Sequence, residues 1–402
     1  MVLLGLSLLW LPHVAYGILK GFISIVMLIK QNRWIERAST EFPRRKVALI
    51  VAAKGVSETF EEFLGLILHQ DYGEDRYRVI FVTESESDPA RLAFDAYVRN
   101  PESKIAVEIT CVVAGESVDE GQKVHNQLAA FKELREDDQI VAFADADIAD
   151  QANWLTRLVT PLNAGQADGT TGYRWFLPQT RSLANLVATT LNAGIAILAG
   201  PRWKTILWGG SMALSRETFD EIEVPKLLRG SLNDDVQITH FARKAGKRLT
   251  FIRSLMAASP VDYTWSALFE FGRRQYFQVR IYSPAFWKTG FGFTTTYLIG
   301  AVASFVLALS GDCRGWIVLG AVALMNFIRW ILRYFYLRIQ FPPEIRQQLL
   351  ASRILELFTA TLIFVPHWLI IMSSTFIREI TWAGIRYRVT GRQKVEVIGR
   401  KK

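Results

Sequence analysis

The chain has 402 residues, of which 50% are hydrophobic and 21% are charged, and its formal net charge is +9. This length suits one domain of about 250 residues with further segments around it, and the apolar fraction is high for a soluble enzyme. The only two cysteines, Cys111 and Cys313, lie far apart, which excludes a disulfide framework and a cysteine-based metal site.

Residues 1–30 are predicted to form a transmembrane segment. Apart from Lys20, residues 2–29 are largely apolar, and this length is enough to cross a bilayer. A cleaved signal peptide is the alternative, but no basic stretch precedes the apolar run and no small-residue cleavage site follows it. Three basic residues come next: Lys30, Arg33 and Arg37. By the positive-inside rule, we expect an integral membrane protein whose following domain is cytoplasmic, at the cell membrane if the source is bacterial.

Residues 44–260 are predicted to form an α/β domain with a largely parallel sheet, because short β-branched runs alternate with helical stretches. The predicted strands are Val47–Ala52, Tyr77–Thr83, Ile105–Val113 and Gln139–Ala144. The predicted helices are Thr59–His69, Pro89–Arg99 and Lys123–Leu134. Sheets of this kind bind ligands at the carboxyl ends of their strands, and polar or acidic loops follow three of these ends. The pattern therefore indicates one shared site.

Asp145-Ala-Asp147 ends the predicted strand Gln139–Ala144. Two carboxylates one residue apart concentrate negative charge, and a bound cation would explain the pair. A turn with two solvated aspartates is the alternative. The other polar features of the domain favour the cation.

Two further segments indicate a phosphate-containing ligand. Glu84-Ser-Glu-Ser-Asp88 follows the second strand, where a carboxylate can accept from a base or a ribose, although it can also be an ordinary polar loop. Lys123 opens a helix just upstream of the aspartate pair, and helix N-termini favour anions. A solvated helix lysine is the alternative there.

Asp234 and Asp235 precede an amphipathic helix. Capping explains one aspartate at such a position, and the second remains free to act as a general base. Upstream, Trp208-Gly-Gly-Ser211 allows close approach of the backbone to a sugar, or forms a tight turn.

The remainder of the chain is predicted to associate with a membrane. Residues 261–290 mix aromatic side chains with arginines, which is typical of an interfacial helix. Residues 291–377 contain three apolar stretches, and the second carries Arg329 and Arg333. Pairing of these arginines with lipid phosphates is one alternative, but we favour the other, that they snorkel to the cytoplasmic boundary. Three full spans would leave the tail outside, against the positive-inside rule. We therefore expect one re-entrant or interfacial segment, with Pro366 as a candidate break, and a cytoplasmic tail. Residues 378–402 carry eight Lys or Arg against two Glu and are predicted to meet anionic lipid headgroups. Because no nucleic-acid motif is present, no nucleic-acid partner is expected.

These features together resemble the inverting nucleotide-sugar glycosyltransferases with a GT-A (Rossmann-like) fold, and within them the chain is most similar to the ceramide glucosyltransferases. The resemblance covers nearly the whole chain, including the amino-terminal and carboxy-terminal apolar segments. The segments that carry it are Lys54-Gly-Val56, Ser87-Asp-Pro-Ala90, Lys123-Val-His-Asn126, Val279-Arg-Ile281 and Ile380-Thr-Trp-Ala-Gly-Ile-Arg-Tyr-Arg388.

The resemblance implies a role for individual residues. Asp145 and Asp147 would hold a Mg²⁺ or Mn²⁺ ion and the diphosphate, and Asp235 would be the general base. The residues implied in donor binding are Lys54, Glu84, Asp88, Lys123 and Asp145. The family's Gln/Arg-x-x-Arg-Trp motif aligns with Gly272–Tyr276 but is not matched there, so Arg273 or Arg274 would supply its positive charge.

The implied reaction is transfer of a hexose, glucose from UDP-glucose, to a hydroxyl of a ceramide-like membrane lipid, with inversion by a metal-assisted single displacement. A processive polysaccharide synthase is the alternative enzyme class. A non-catalytic membrane protein that only binds UDP-sugar is the second alternative.

Overall fold

The computed structural model describes residues 1–146, 151–198 and 205–400. The chain divides into two compact units. We call Gln31–Arg174, Ala199–Ser259 and Arg378–Lys402 the sheet unit, and Met1–Lys30, Trp175–Leu198 and Pro260–Ile377 the helical unit.

The sheet unit is built on a mixed sheet in the order β3-β2-β1-β4-β6-β5-β7. Its strands are β1 (Val47–Ala52), β2 (Tyr77–Thr83), β3 (Glu108–Val113), β4 (Ile140–Ala144), β5 (Gly169–Pro178), β6 (Ser211–Ser215) and β7 (Leu249–Val261). Strands β1 to β4 run parallel, and β6 pairs antiparallel with β4 and β5. Alternate residues of β1 enter two different hydrophobic clusters: Val47, Leu49 and Val51 one, Ala48 and Ile50 the other. Burial on both faces explains why these strands are continuous apolar runs.

The helices of this unit connect the strands. They are α3 (Phe60–Ile67), α4 (Pro89–Arg99), α5 (Gln122–Ala130), α6 (Trp154–Asn163), α8 (Arg216–Glu221), α9 (Val224–Leu228) and α10 (Asp235–Lys244). The predicted bounds of β1, β2 and α4 are confirmed. The third strand begins three residues later than predicted, at Glu108, and the fifth helix ends at Ala130 and continues as a 3₁₀ turn over Phe131–Glu133.

The basic carboxy-terminal segment folds as an antiparallel sheet of β8 (Glu379–Trp382), β9 (Ile385–Gly391) and β10 (Lys394–Arg400). Side chains of β9 alternate, with Ile385, Tyr387 and Val389 buried and the arginines between them exposed. The hydroxyl of Tyr387 accepts the Gln122 N–H at 3.1 Å, and Val397 N–H donates to Val118 O at 3.0 Å. The segment is therefore part of the sheet unit's fold, and its contact with lipid headgroups stays a prediction.

The helical unit contains, within its described residues, three helical stretches that are long and apolar enough to cross a membrane. They are Val2–Glu41, formed by α1 (Val2–Leu8) and α2 (Trp10–Glu41) and extending into the sheet unit, α12 (Pro284–Leu309) and α13 (Cys313–Gln340). The other helices are α7 (Leu183–Ile197), α11 (Trp265–Tyr282), α14 (Pro343–Gln348), α15 (Leu350–Thr359) and α16 (Phe364–Ser373). Helices α15 and α16 meet at 92°, as a broken span or a re-entrant loop does. The expected interruption thus lies just before Phe364, two residues upstream of Pro366.

Aromatic side chains hold the apolar helices together. Trp10 and Val14 of α2 are buried against Tyr297 of α12 and Val318 of α13. The rings of Tyr297 and Phe364 stack with centroids 3.8 Å apart. Such pairs add stability beyond the area that they bury.

A buried ion pair fixes the starts of β2 and β4. Arg78 Nη2 lies 2.5 Å from Asp138 Oδ2 and 2.6 Å from the Glu133 carbonyl, and the two charged side chains are 7% and 3% exposed. Because an unpaired buried charge is costly, this pair helps to set how the two strands align, and hence where their opposite ends lie.

We predict that Asp138→Asn lowers the free energy of unfolding by about 3–5 kcal/mol, since it leaves the Arg78 charge buried without its partner. Asp137→Asn is the matched control, because Asp137 pairs with Lys46 on the surface and such pairs contribute little. Thermal unfolding of the detergent-solubilised chain measures both. Equal stability of the two variants would contradict this account.

Candidate active site

The carboxyl ends of β1, β2 and β4 meet at one edge of the sheet. They bring Lys54, Glu84 and Asp145 to that edge, as the sequence predicts. Ser211 of β6 pairs with Ala144, so the loop before β6 also lies there, and the Asp145 N–H donates to Gly210 O at 3.2 Å.

Lys123, in the first turn of α5, links two of the aspartates. Its Nζ lies 2.7 Å from Asp145 Oδ1 and 3.2 Å from Asp234 Oδ2, and its side chain is 16% exposed. Burial alone would lower the pKa of Lys123, but the charges of Asp145 and Asp234 outweigh burial and raise it. The lysine is therefore a permanent cation at the strand ends.

Asp234 is the most deeply buried of these acids, with a side chain 3% exposed. Its Oδ2 accepts from Gln127 Nε2 at 2.7 Å in addition to the Lys123 contact. Burial would raise the pKa of Asp234, but Lys123 and Gln127 lower it. We expected one aspartate of the pair to cap α10. Asp234 makes no side-chain capping bond and instead holds the lysine, while Asn233 Oδ1 accepts the Val236 N–H at 2.8 Å.

Asp235 begins α10 and remains partly accessible. Its Oδ2 accepts the Gly209 N–H at 2.8 Å, and its Oδ1 accepts the Val236 N–H at 2.6 Å. Burial, and then the nearby charge of Asp234, raise the pKa of Asp235 to about 6. A carboxylate in this range is mostly ionised at neutral pH and can still take a proton.

Two glycines allow the parts of the site to approach each other. A Cβ on Gly209 would lie 2.8 Å from both Lys123 Nζ and Asp234 Oδ2. A Cβ on Gly121 would lie 2.6 Å from the Leu232 carbonyl oxygen. The loops before β6, α5 and α10 therefore meet without side chains between them.

Glu84 lies at the edge of this site and is held by two cations. Lys54 contacts one carboxylate oxygen, and Arg400 Nη1 of β10 lies 2.7 Å from the other. Arg400 also donates to Ser117 O and Gln122 Oε1, each at 2.9 Å. The carboxy-terminal sheet thus contributes directly to the loops around the strand ends.

Asp88 connects the first two strand-end loops. It is the N-cap of α4, where Oδ1 accepts the Ala90 N–H, and the same oxygen accepts the Gly55 N–H, both at 2.9 Å. This ties Asp88 to the loop that carries Lys54, another of the residues predicted to bind the donor.

An aromatic cluster adjoins the loop before β6. The rings of Tyr173 and Trp208 lie 5.6 Å apart, and the Arg174 guanidinium lies 5.5 Å from the Trp208 ring. Burial raises the pKa of Tyr173, so its hydroxyl stays neutral and can serve as a hydrogen-bond donor.

Arg273 and Arg274, which were predicted to supply positive charge to the site, lie on α11 in the helical unit. There, the Arg274 guanidinium lies 5.5 Å from the Phe271 ring. Asp147, the second predicted metal ligand, lies outside the described residues. Within the residues that are described, no group of three or more His, Cys, Asp or Glu side chains could hold a metal ion.

Sequence reasoning missed three residues of the site: Asp234 as an ion-pair partner, Gln127 and Arg400. Gln127 follows Lys123 by four positions, which places both on one face of a helix and was a usable signal. Arg400 contacts residues about 280 to 316 positions away in the sequence. No local sequence pattern predicts such a contact.

Solved glycosyltransferases share this fold. A mannosyltransferase from Pyrobaculum calidifontis, solved in complex with GDP-Man and Mn²⁺, aligns with a TM-score of 0.51 at 15% identity, over 88% of this chain and 99% of that one. Glucosyl-3-phosphoglycerate synthase from Mycobacterium tuberculosis aligns with a TM-score of 0.40 at 16% identity, over 61% and 81% of the two chains. The predicted GT-A fold is confirmed by the first of these, while the second is too distant to add weight.

No curated protein sequence matches the chain. A family assignment nevertheless covers almost all of it, since residues 13–395 match glycosyl transferase family 21. The chain, with its GT-A sheet, its lysine-linked aspartates and its long apolar helices, therefore belongs to glycosyl transferase family 21.

Proposed function

We propose that this chain transfers a hexose, glucose from UDP-glucose, to a hydroxyl of a ceramide-like membrane lipid with inversion at the anomeric carbon. The observation that carries the proposal is Asp235, a partly accessible carboxylate whose pKa is raised to about 6 beside the Lys123–Asp145 ion pair. Membership of the family supports sugar transfer.

Asp235 would act as the general base. The acceptor oxygen attacks the anomeric carbon, the bond from that carbon to the diphosphate oxygen breaks, and the hydroxyl proton passes to the Asp235 carboxylate. The Gly209 N–H, bonded to Oδ2, orients the carboxylate. One displacement from the opposite face inverts the configuration.

The opposite side of the site would receive the leaving diphosphate. Lys123 supplies one positive charge against the three carboxylates of Asp145, Asp234 and Asp235. This excess of negative charge and the hard oxygen donor of Asp145 fit Mg²⁺ or Mn²⁺, with Asp147 as the second protein ligand that the family pattern implies. When bound, the ion would neutralise charge on the departing diphosphate. Lys54, Glu84 and Asp88 would bind the nucleoside part.

A lipid acceptor is supported by the apolar helices. Three helical stretches in the described part of the chain are long and apolar enough to cross a bilayer. The aromatic and basic helix α11 has the composition of an interfacial helix, which suits an enzyme that takes its acceptor from a membrane.

We predict that Asp235→Asn lowers kcat by about 10²–10⁴-fold while UDP-glucose still binds, because the amide cannot take the proton. Asp220→Asn is the control, since Asp220 is exposed on α8 and pairs with Arg216. The assay measures UDP release and the product formed from labelled UDP-glucose and extracted lipid. Undiminished turnover of Asp235→Asn would contradict the assignment.

The same assay separates the alternatives by its product. One sugar on a lipid supports the proposal, whereas a long polymer would indicate a polysaccharide synthase. Bound UDP-sugar without any UDP release would indicate a protein that only binds the donor.

We predict that kcat/KM of the wild type rises with pH through a midpoint near 6, because Asp235 must be ionised to act as a base. Asp234 raises the pKa of Asp235 and Lys123 lowers it. Asp234→Asn should therefore move the midpoint to lower pH. An unchanged midpoint, or a shift to higher pH, would count against a base at Asp235.

We also predict that the carboxy-terminal sheet is cytoplasmic. The native Cys111 and Cys313 are exposed and would first be changed to serine. A cysteine then placed at Lys394, an exposed position of β10, should react with a membrane-impermeant maleimide only after cell lysis. Reaction in intact cells would place this segment outside.

A further inference from the structure

Two arginines contact a single carboxylate inside the helical unit, and a third lies near enough to interact with its charge. Arg333 Nη1 of α13 lies 2.5 Å from Glu356 Oε1 of α15, and Arg329 Nη2 lies 3.8 Å from the same oxygen. Arg353 is three residues before Glu356 on α15, and its side chain lies across two aromatic rings of α13. We call Arg329, Arg333, Arg353 and Glu356 the arginine cluster.

The arginine cluster is unbalanced in charge. The arginine cluster contains three guanidinium groups and one carboxylate, which leaves a formal excess of +2. The Arg333 and Glu356 side chains are 7% and 5% exposed. We expected Arg333 to snorkel to the boundary, but its burial against Glu356 contradicts that expectation. Unbalanced charge among apolar helices is costly unless a counter-charge reaches it.

Several donors of the arginine cluster lack an acceptor. The Nε atoms of Arg329, Arg333 and Arg353, and Nη2 of Arg353, are buried and have no hydrogen-bond partner among residues 1–146, 151–198 and 205–400. Buried N–H groups nearly always have a hydrogen-bond acceptor. A guanidinium has five N–H donors, and each donor that is buried without an acceptor costs free energy. An anion rich in oxygen atoms would match both the unsatisfied donors and the excess positive charge.

Packing holds these donors in place before any ligand arrives. The Arg353 guanidinium lies 4.7 Å from the Trp330 ring and 4.9 Å from the Tyr334 ring. Gly17 of α2 leaves room for Arg329, since a Cβ there would lie 3.1 Å from Arg329 Cδ. Stacked guanidinium groups of this kind lose little freedom on binding.

We propose that the arginine cluster is a binding site for a phosphate group, separate from the sugar-transfer site. A phosphate carries one to two negative charges and several acceptor oxygens, which match the excess charge and the unsatisfied donors and suit the planar guanidinium fork. Arg333 precedes the end of α13 at Gln340 by seven residues, or roughly 10 Å along the helix. That position suits the phosphate of a lipid headgroup as well as free phosphate.

The test uses the full chain in a neutral detergent and measures binding through the rise in unfolding temperature during a titration. One arm adds inorganic phosphate, the second adds phosphatidylglycerol, and a third adds diacylglycerol, which lacks phosphate. We expect saturable binding in at least one of the first two arms and none in the third. Response to inorganic phosphate identifies a site for the free anion, and response to phosphatidylglycerol alone identifies a headgroup site.

Two variants with opposite expected effects connect the binding to the arginine cluster. Arg353→Gln should weaken phosphate binding by about tenfold or more, because it removes a charge and its donors. Glu356→Gln should tighten binding, because it removes the competing carboxylate. A purely structural ion pair would lose stability in Glu356→Gln without gaining affinity. The control is Arg314→Gln at the start of α13, where Arg314 is exposed and paired with Asp312.

The inference is overturned if neither phosphate arm binds the wild type, or if Glu356→Gln and Arg353→Gln leave the affinity unchanged. Should Arg353→Gln fail to fold, Arg353→Lys keeps the charge but loses the fork and should show an intermediate loss. None of these outcomes depends on sugar transfer, so the inference stands or falls separately from the proposed function.

Discussion

The Lys123 ammonium group ties together carboxylates that come from two distant parts of the chain, Asp145 at the end of β4 and Asp234 before α10. Without this cation, the acids at the sheet edge would repel one another in a poorly solvated space. The remaining features of the site follow from the contact. Gly209 must lack a side chain to let the groups meet, and Gln127 is the second hydrogen-bond partner of Asp234. Burial, and then the charge of Asp234, raise the pKa of Asp235.

The two units carry opposite charge imbalances. In the sheet unit one lysine faces Asp145, Asp234 and Asp235, so that the strand-end site is short of positive charge. In the helical unit the arginine cluster contains three arginines and one carboxylate, Glu356, so that it is short of negative charge. Because proteins rarely bury unmatched charge, each imbalance indicates a ligand of the opposite sign. For the first, the ligand that we propose is a divalent cation accompanying a sugar diphosphate; for the second, it is a phosphate group.

Much of the sheet unit could be predicted from the sequence, because parallel strands buried on both faces leave continuous apolar runs with clear ends. The residues 47–52 and 77–83 were predicted without error for this reason. The gathering of Lys54, Glu84 and Asp145 followed from the rule that strand ends of a parallel sheet share an edge. The ion pair between Lys123 and Asp234 was harder to predict. Asp234 lies at a helix start, where capping is the commoner role, and only the tertiary structure shows that Asn233 accepts a first-turn N–H instead. The carboxy-terminal sheet had a signal, the alternation Ile385-Arg-Tyr-Arg-Val389, which the concentration of charge concealed. The contact of Arg400 with Glu84 had none.

We propose that the site in which Lys123 links Asp145 and Asp234 transfers one hexose to a membrane lipid. The most direct test is mass spectrometry of lipids from cells that make equal amounts of the wild type or Lys123→Met and are fed isotopically labelled glucose. The account predicts a lipid carrying one labelled hexose with the wild type, and its loss with Lys123→Met. The same labelled lipid in both cultures, or none with the wild type, would contradict it.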